Sequence, residues 1–204
     1  SSDGSKLAAT VYGGQIFTSS DSGGSWIARD SSRNWRSVAS SGDGVNLVAI
    51  VDGGQIYTSG DSGITWTARE LSRSWQAVTS SSDGAKLAAV VYTGQVYTST
   101  DSGVTWFARD ASRYWNRITG SSDGTKLIST VSGPTPGQVY TSTDSGVTWI
   151  ARDSARSWNS VSSSGDGAKA CARTIGNDCT IRTTRKLLLP SPVCPVYVKM
   201  DAPT

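Results

Sequence analysis

The sequence repeats itself four times with a period of about 40 residues, and this repeat is the feature that most limits the possible folds. An octad of the form Ser-x-Asp-Ser-Gly-x-Ser/Thr-Trp occurs at 19–26, 59–66, 99–106 and 142–149. Its aspartates are separated by 40, 40 and 43 positions, and the three extra residues fall in a Gly/Pro insertion at 133–137. Periods of 20–50 residues are typical of repeat architectures in which each unit packs on the next.

Two further markers keep the same period. Asp-Gly pairs stand at 3–4, 43–44, 83–84, 123–124 and 166–167. An Arg-x-Trp motif occurs at 33–35, 73–75, 113–115 and 156–158. The octads and the Arg-x-Trp motifs together account for all eight tryptophans of the chain.

Each repeat has the pattern of four short β-strands. In the third repeat the strands are predicted at 75–80, 86–92, 95–99 and 105–109, with turn residues between them. The second strand is apolar on both faces, as expected for a sheet that is covered on both sides, and no segment has a helical period. The sequence therefore predicts an all-β fold, a small β-propeller of four-stranded blades in which each sheet covers its neighbour. A β-solenoid is the structural alternative.

The octad resembles the Asp-box, or BNR repeat, of sialidase-like β-propellers. In that family the box is the hairpin between the third and fourth strands of a blade, which agrees with the strands assigned above. An aspartate in such a turn accepts hydrogen bonds from turn N–H groups, while glycine supplies a positive φ and the tryptophan packs beneath. We expect these residues to lock turns and not to perform chemistry: Asp21, Asp61, Asp101 and Asp144.

The composition argues against an enzyme. The chain has no histidine, and Glu70 is its only glutamate. A Ser-His-Asp triad and histidine-ligated metal sites are therefore impossible. The sialidase resemblance would require a Tyr nucleophile with a Glu partner, but Glu70 occupies a position where the other repeats have aspartate. We expect no catalytic residues, no metal and no cofactor.

The chain divides into a repetitive part, residues 1–167, and a divergent segment, residues 168–204. The first has 13 basic and 14 acidic side chains, while the second has six and two and contains all three cysteines. Since the first repeat lacks an initial strand, Val196–Met200 could supply it and close a ring of five blades, the last one degenerate. The alternatives are a four-bladed ring with the tail docked outside, and an open array that pairs with another chain. Cys171 and Cys179 could form a disulfide or be small buried residues.

Partners and location are less constrained by the sequence. The charge pattern predicts no nucleic acid, because a neutral body with a modestly basic tail lacks a broad basic surface. No apolar run is long enough to span a membrane. The start at Ser-Ser together with the Ser/Thr/Gly richness leads us to expect a secreted protein or one of an organelle lumen.

Two functional hypotheses remain. The first is a non-catalytic propeller that docks on a partner protein or larger complex through the parts that break the repeat, the insertion at 133–137 and the segment 168–204. The second is a multivalent lectin that binds glycans through the repeated Arg-x-Trp loops, which would need exposed tryptophans. In a third interpretation these tryptophans wedge between blades and the arginines pair with nearby acidic residues. The residues concerned are Arg33, Trp35, Arg73, Trp75, Arg113, Trp115, Arg156 and Trp158.

Overall fold

The computed structural model describes residues 1–174, and these form an all-β structure. The strands are β1 (Leu7–Thr10), β2 (Tyr12–Ser19), β3 (Ile27–Ser40), β4 (Leu47–Ser59), β5 (Thr67–Ser80), β6 (Leu87–Ser99), β7 (Phe107–Gly120), β8 (Leu127–Ser132), β9 (Pro136–Ser142), β10 (Ile150–Arg156), β11 (Trp158–Ser163) and β12 (Ala170–Thr174). Within the described residues no helix could cross a membrane.

Every strand pairing is antiparallel, and the long strands β3, β5 and β7 each belong to two sheets. The first half of β5 pairs with β4, whereas its second half pairs with β6. Asp30, Glu70 and Asp110 have positive φ values and lie within the first halves, where the register with the preceding strand shifts. We name the sheets in chain order: sheet I (β1, β2, first half of β3), sheet II (second half of β3, β4, first half of β5), sheet III (second half of β5, β6, first half of β7), sheet IV (second half of β7, β8, β9, β10) and sheet V (β11, β12).

β4 and β6 each span a whole hairpin of the repeat. The equivalent hairpins consist of two separate strands in sheet I, where Leu7 is paired with Ser19, and in sheet IV. The turn within β4 has the same geometry as the one between β1 and β2, because Gly13 and Gly53 have φ values of 72° and 68°. The prediction of four strands per repeat therefore holds for sheets II, III and IV.

Successive sheets pack face to face through one recurring arrangement. Between sheets II and III, Ile50 and Ile56 of the earlier sheet contact a cluster that includes Trp75, Ala89 and Tyr97 of the later one. Equivalent clusters fill the other interfaces and contain Trp35, Trp115 and Trp158. The apolar second strand is covered on both faces because it contributes to two such interfaces, as the sequence pattern predicts.

A chain of backbone hydrogen bonds also links neighbouring sheets. The N–H of Ser2 donates to the carbonyl of Gly42, Gly42 to Ser82, Ser82 to Ser122 and Ser122 to Gly165, with N–O distances of 2.6–2.7 Å. These residues precede or form the Asp-Gly turns, so the same turn is used once per repeat to hold adjacent sheets in register. The fold is therefore a radial stack of small antiparallel sheets, which is β-propeller architecture.

Two expectations extend beyond residue 174. The number of blades and the closing role of Val196–Met200 depend on residues outside the described part and stay predictions. Strand boundaries in the third repeat differ from expectation: the strands predicted at 86–92 and 95–99 form the single strand β6, and the fourth strand begins at Phe107 and not at Thr105. The fourth strand begins later because the N–H and hydroxyl of Thr105 both bond to Asp101 in the turn.

Candidate functional site

The octad aspartates lie in tight turns that their side chains hold together. In the third octad, Asp101 accepts the N–H of Thr105 at 2.9 Å and its hydroxyl at 2.6 Å. Ser99 donates its hydroxyl to the same carboxylate at 2.8 Å and accepts the N–H of Gly103 at 2.9 Å. The same contacts recur around Asp21, Asp61 and Asp144.

The backbone of the octad turn is left-handed at two consecutive residues. Ser102 has a φ of 57° and Gly103 a φ of 83°, and Trp106 donates its indole N–H to the carbonyl of Gly103 at 3.0 Å. A glycine is expected at such a position, but a serine is not. Sequence reasoning assigned the positive φ to the glycine alone and missed the serine.

The hydrogen bonds keep these carboxylates ionised. The hydroxyl and N–H of Thr65 lower the pKa of Asp61 to about 2, and those of Thr105 do the same for Asp101. A carboxyl group with so low a pKa is a poor proton donor near neutral pH, and its oxygens are already occupied by turn donors. The octad aspartates are therefore suited to structure and not to acid–base chemistry.

The Arg-x-Trp tryptophans are buried, which corrects their assignment as candidate ligand-binding residues. Trp35 is 1% exposed, and Trp75, Trp115 and Trp158 are 0% exposed. Each lies in a hydrophobic cluster between two sheets. A lectin of the kind considered above needs exposed indole faces, so this arrangement does not support it.

The arginines of the same motif are engaged locally and are likewise unsuited to the proposed sugar contacts. Arg33, Arg73 and Arg113 lie 3.6, 3.4 and 3.4 Å from the carboxylates of Asp30, Glu70 and Asp110. Their guanidinium groups stand 4.6 Å from the ring centroids of Tyr57, Tyr97 and Tyr140. Arg156 lies 5.8 Å from the Trp158 ring. The third interpretation, with wedged tryptophans and locally paired arginines, agrees with these contacts.

Side chains that differ between repeats gather at one end of the sheets, opposite the octad turns. The position after each Arg-x-Trp tryptophan holds Arg36, Gln76, Asn116 or Asn159. The register shifts at this position in every sheet that contains it, so the residue is extra in a β-bulge. Bulges redirect side chains and are common beside functional sites. We call the following set the variable face: Arg36, Asp52, Gln76, Tyr92, Tyr114, Asn116 and Arg117.

The charged part of the variable face lies where the second halves of β3, β5 and β7 begin, which are the first strands of sheets II, III and IV. Arg36 donates to Gln76 at 2.5 Å and lies 3.2 Å from the carboxylate of Asp52. Arg117 donates from Nη1 to the carbonyl and to the side-chain oxygen of Asn116, at 3.1 and 3.0 Å. Burial and the nearby positive charge of Arg36 lower the pKa of Arg117.

The aromatic part of the same face is formed by Tyr92 and Tyr114. Their rings meet edge to face with centroids 5.4 Å apart, and the side chains are 36% and 38% exposed. The insertion packs against Tyr114, since a Cβ at Gly133 would lie 2.5 Å from the Tyr114 ring. This insertion, which the sequence marked as a break in the repeat, therefore borders the variable face.

The remaining features to consider are a metal site and the cysteines. In residues 1–174 no group of histidine, cysteine, aspartate or glutamate could hold a metal ion. Cys171 lies in β12 and takes part in a disulfide bond. Cys179 lies outside the described residues, so the pairing with Cys171 stays a prediction.

Comparison with known proteins shows the fold and no family. No protein family model matches the chain, and no curated protein matches it. Solved β-propellers are similar in structure. The structure of YCF48 bound to a D1 peptide has 15% identity and a TM-score of 0.60, and the match covers 86% of this chain and 62% of that one.

Two further structures give the same result. The GH74 xyloglucanase of Xanthomonas campestris has 15% identity and a TM-score of 0.63, with coverage of 82% and 32%. The β-propeller domain of Cps50 (Swd1) from Myceliophthora thermophila has 12% identity and a TM-score of 0.62, with coverage of 84% and 59%. The chain thus spans between a third and three fifths of the length of these proteins. One of these proteins is described as an enzyme, and the other two are described without an enzymatic activity. The shared fold therefore does not decide whether this chain is an enzyme.

Proposed function

We propose that the protein is a non-catalytic interaction module whose variable face docks on a partner protein or a larger assembly. One observation carries this proposal: residues needed for the fold are the same in every repeat, whereas the variable face differs from sheet to sheet. Repetition explains the octads, the Asp-Gly turns and the buried tryptophans. It does not explain Tyr114 or Arg117, which stand where the other repeats have different residues, and Tyr92 recurs only in the first repeat, as Tyr12.

The chemistry of this face supports a docking role. Tyrosine and arginine are enriched at the centres of protein interfaces, because they combine large contact areas with hydrogen bonding. Tyr92 and Tyr114 expose part of their rings, and Arg36 and Gln76 supply polar groups that bond to each other. Each group is held by a neighbour, so the surface is ordered before a partner arrives and binding costs less conformational entropy.

The structural neighbours are consistent with this proposal. One of them is described as bound to a peptide, which shows that this fold can present a peptide-binding surface in another protein. We extend only that general capacity to this chain. Alongside it we propose the Asp-box relationship suggested by the octads, and a secreted or lumenal location, with which a disulfide at Cys171 is compatible.

Site-specific photo-crosslinking tests the docking role. A photoreactive amino acid replaces Tyr92 in one variant and Thr100, an exposed residue of an octad turn, in another. We expect discrete crosslinked products from position 92 and none from position 100 when the protein is mixed with an extract of its source. Products from position 100 alone, or an equal pattern from both, would contradict the assignment of the docking surface.

A further inference from the structure

We propose that the protein binds a small carboxylic acid with a short hydrocarbon chain in a cavity between sheets I and II, with the carboxylate on Arg29. This site is separate from the variable face, and the inference does not depend on the docking function. The cavity has a volume of about 420 Å³, and residues of the first and second octads line it. Volumes of about 300–1,000 Å³ are typical of pockets that bind small molecules.

Apolar side chains from both sheets line the cavity. Ile27 and Ile64 are 54% and 59% exposed, so they lie where the cavity opens to solvent. Leu7, Val38 and Leu47 are buried or half-buried and form a deeper part of the wall. A hydrocarbon chain that enters between these residues loses its contact with water, which favours binding.

Arg29 supplies the anchor for the carboxylate. Its Nε donates to the hydroxyl of Thr18 at 3.0 Å, which holds the side chain against sheet I. Within residues 1–174 Arg29 forms no salt bridge, and its two terminal nitrogens donate no hydrogen bond. A guanidinium group carries five N–H donors in a planar fork that matches a carboxylate. The terminal nitrogens of Arg29 are therefore available to an anion in the cavity.

The charge around the cavity favours an anion. Lys6 also lines it, and its ammonium group donates to the hydroxyl of Ser62, in the octad turn of sheet II, at 3.3 Å. Among the described residues that form the wall there is no aspartate or glutamate. Outside the wall, the hydroxyl of Ser41 and, to a smaller extent, the charge of Lys6 lower the pKa of Asp43. Since Asp43 compensates part of the charge of Lys6, Arg29 is the main anchor.

The equivalent places in the other repeats lack this combination of volume and charge. Between sheets II and III the space is about 140 Å³, and Asn46 stands where the first repeat has Lys6. Between sheets III and IV the space beside Lys86 is about 10 Å³. Among these three interfaces, the one between sheets I and II therefore has both the room and the two cations.

A further strand in sheet I would leave this site in place. Such a strand would pair with the free edge of β1, whereas Arg29 lies on β3, on the far side of β2. Neighbouring strands are about 4.8 Å apart, so the added strand would lie three spacings from the strand of Arg29. Sheet II has its first strand and still leaves about 140 Å³ beside Arg69. We therefore expect a ligand with a short chain.

The test uses the full chain and sodium hexanoate, with hexanamide as a neutral probe of the same shape. Binding is measured by NMR titration of the backbone amides and the arginine Nε–H signals. We expect hexanoate to bind about tenfold more tightly than hexanamide, the effect of a charge-assisted hydrogen bond. Acetate should bind about tenfold more weakly than hexanoate, because it lacks the methylene groups that the cavity covers. The amides of Leu7, Ile27 and Ile64 should shift most.

Three variants assign the charge recognition. Arg29→Gln should bind hexanoate and hexanamide equally, since glutamine carries no positive charge. Arg152→Gln is the matched control, because Arg152 has the same repeat position and donates from Nε to Thr141 at 2.9 Å but does not line the cavity. It should keep the preference of the parent protein. Lys6→Asn introduces the residue of the second repeat and should weaken hexanoate binding by roughly threefold.

The alternative results overturn the inference in distinct ways. Equal binding of hexanoate and hexanamide by the parent protein, or binding of neither, shows that the cavity is not a carboxylate site. Equal binding of acetate and hexanoate shows that the apolar wall takes no part. A preference that persists in Arg29→Gln assigns the charge recognition to other residues. If Arg29→Gln does not fold, the Nε–H signal of Arg29 in the parent protein decides: it should move with hexanoate and not with hexanamide, and a signal that stays fixed makes the site wrong.

Discussion

Asp101 and Thr105 are joined twice, since the carboxylate accepts the backbone N–H of Thr105 at 2.9 Å and its hydroxyl at 2.6 Å. Replacing Asp101 with alanine removes the acceptor of both bonds and of the Ser99 hydroxyl. Because the turn is exposed, water replaces part of what is lost. We expect a destabilisation of about 1 kcal/mol, which lowers the melting temperature by roughly 2–4 °C in a protein of this size. Differential scanning calorimetry measures the shift.

Thr100→Ala is the control for this substitution. Thr100 is exposed in the same octad turn, and its side chain is not used by the hydrogen bonds that hold Asp101. We expect its melting temperature to stay within about 1 °C of the parent protein. Equal effects of the two substitutions would show that the carboxylate does not stabilise the turn.

Stability should decrease in acid, because turn donors lower the pKa values of aspartates in the octads and Asp-Gly turns. The pKa values of Asp61, Asp101 and Asp123 are about 2, below the value of 3.8 expected for an unperturbed aspartate. A group with a lowered folded-state pKa stabilises the protein above the unfolded-state pKa and loses that effect as the pH falls toward the folded-state value. The contribution should therefore be constant above about pH 5 and vanish between pH 4 and pH 2.

Urea denaturation at a series of pH values tests this expectation. The midpoint should be nearly constant from pH 5 to pH 7, where the absence of histidine removes another common titration. It should then fall steeply below pH 4, and less steeply in Asp101→Ala than in the parent. A midpoint that is independent of pH down to pH 2 would show that the turns do not distinguish the ionised carboxylates.

Trp75→Phe tests the wedge between sheets II and III. Trp75 is fully buried in a cluster with Ile50, Ile56 and Ala89, and it packs edge to face on Tyr97 with centroids 5.2 Å apart. Phenylalanine leaves part of this volume unfilled, so we expect a clear loss of stability, smaller than the about 3–5 kcal/mol typical of Trp→Ala. Trp26→Phe is the control, because Trp26 is 44% exposed and should cost under 1 kcal/mol. Chemical denaturation followed by circular dichroism would compare them, and equal losses would contradict the wedge.

The fold was readable from the sequence because one short pattern is repeated. Turn residues at fixed intervals and an apolar second strand specify antiparallel sheets that must be covered on both faces. The exact ends of the strands were harder to predict from the sequence. Thr105 has the pattern of a strand residue but is held in the turn by Asp101, and Ser102 adopts a positive φ that only the completed turn makes favourable.

The residues of the proposed docking surface were harder to anticipate for a physical reason. The Arg-x-Trp motif was a candidate binding motif because it recurs. A residue also recurs when every interface between sheets requires it, and these tryptophans are part of the hydrophobic core. The variable face is distinguished by differences between repeats at one structural position. Comparison of Arg36, Gln76 and Asn116 was possible from the sequence, but the bulges that bring them to one surface were not visible without strand register.

The first sheet has an open edge in the described part of the chain. β1 pairs with β2 on one side, whereas its counterpart β8 pairs with both β7 and β9. Ala9 is exposed although Ala49 and Ala89 at the same repeat position are 0% exposed. A cavity of about 420 Å³ lies between sheets I and II, compared with about 140 Å³ at the equivalent place between sheets II and III. These features are those of a sheet that takes one more strand.

We predict that Val196–Met200 supplies this strand. Trp35 and Trp158, which hold the same position in different repeats, are 123 positions apart. Residues 196–200 lie 123 positions after residues 73–77, where the first strand of sheet III starts. The segment therefore has the repeat position at which the first strand of a sheet begins. Hydrogen exchange would compare chains that end at residues 195 and 200. The β1 amides should be protected in the longer chain and exchange faster in the shorter one, because only the longer chain contains the pairing strand. Equal exchange in both would exclude this closure, and protection that rises with protein concentration would assign the edge to a second copy of the chain.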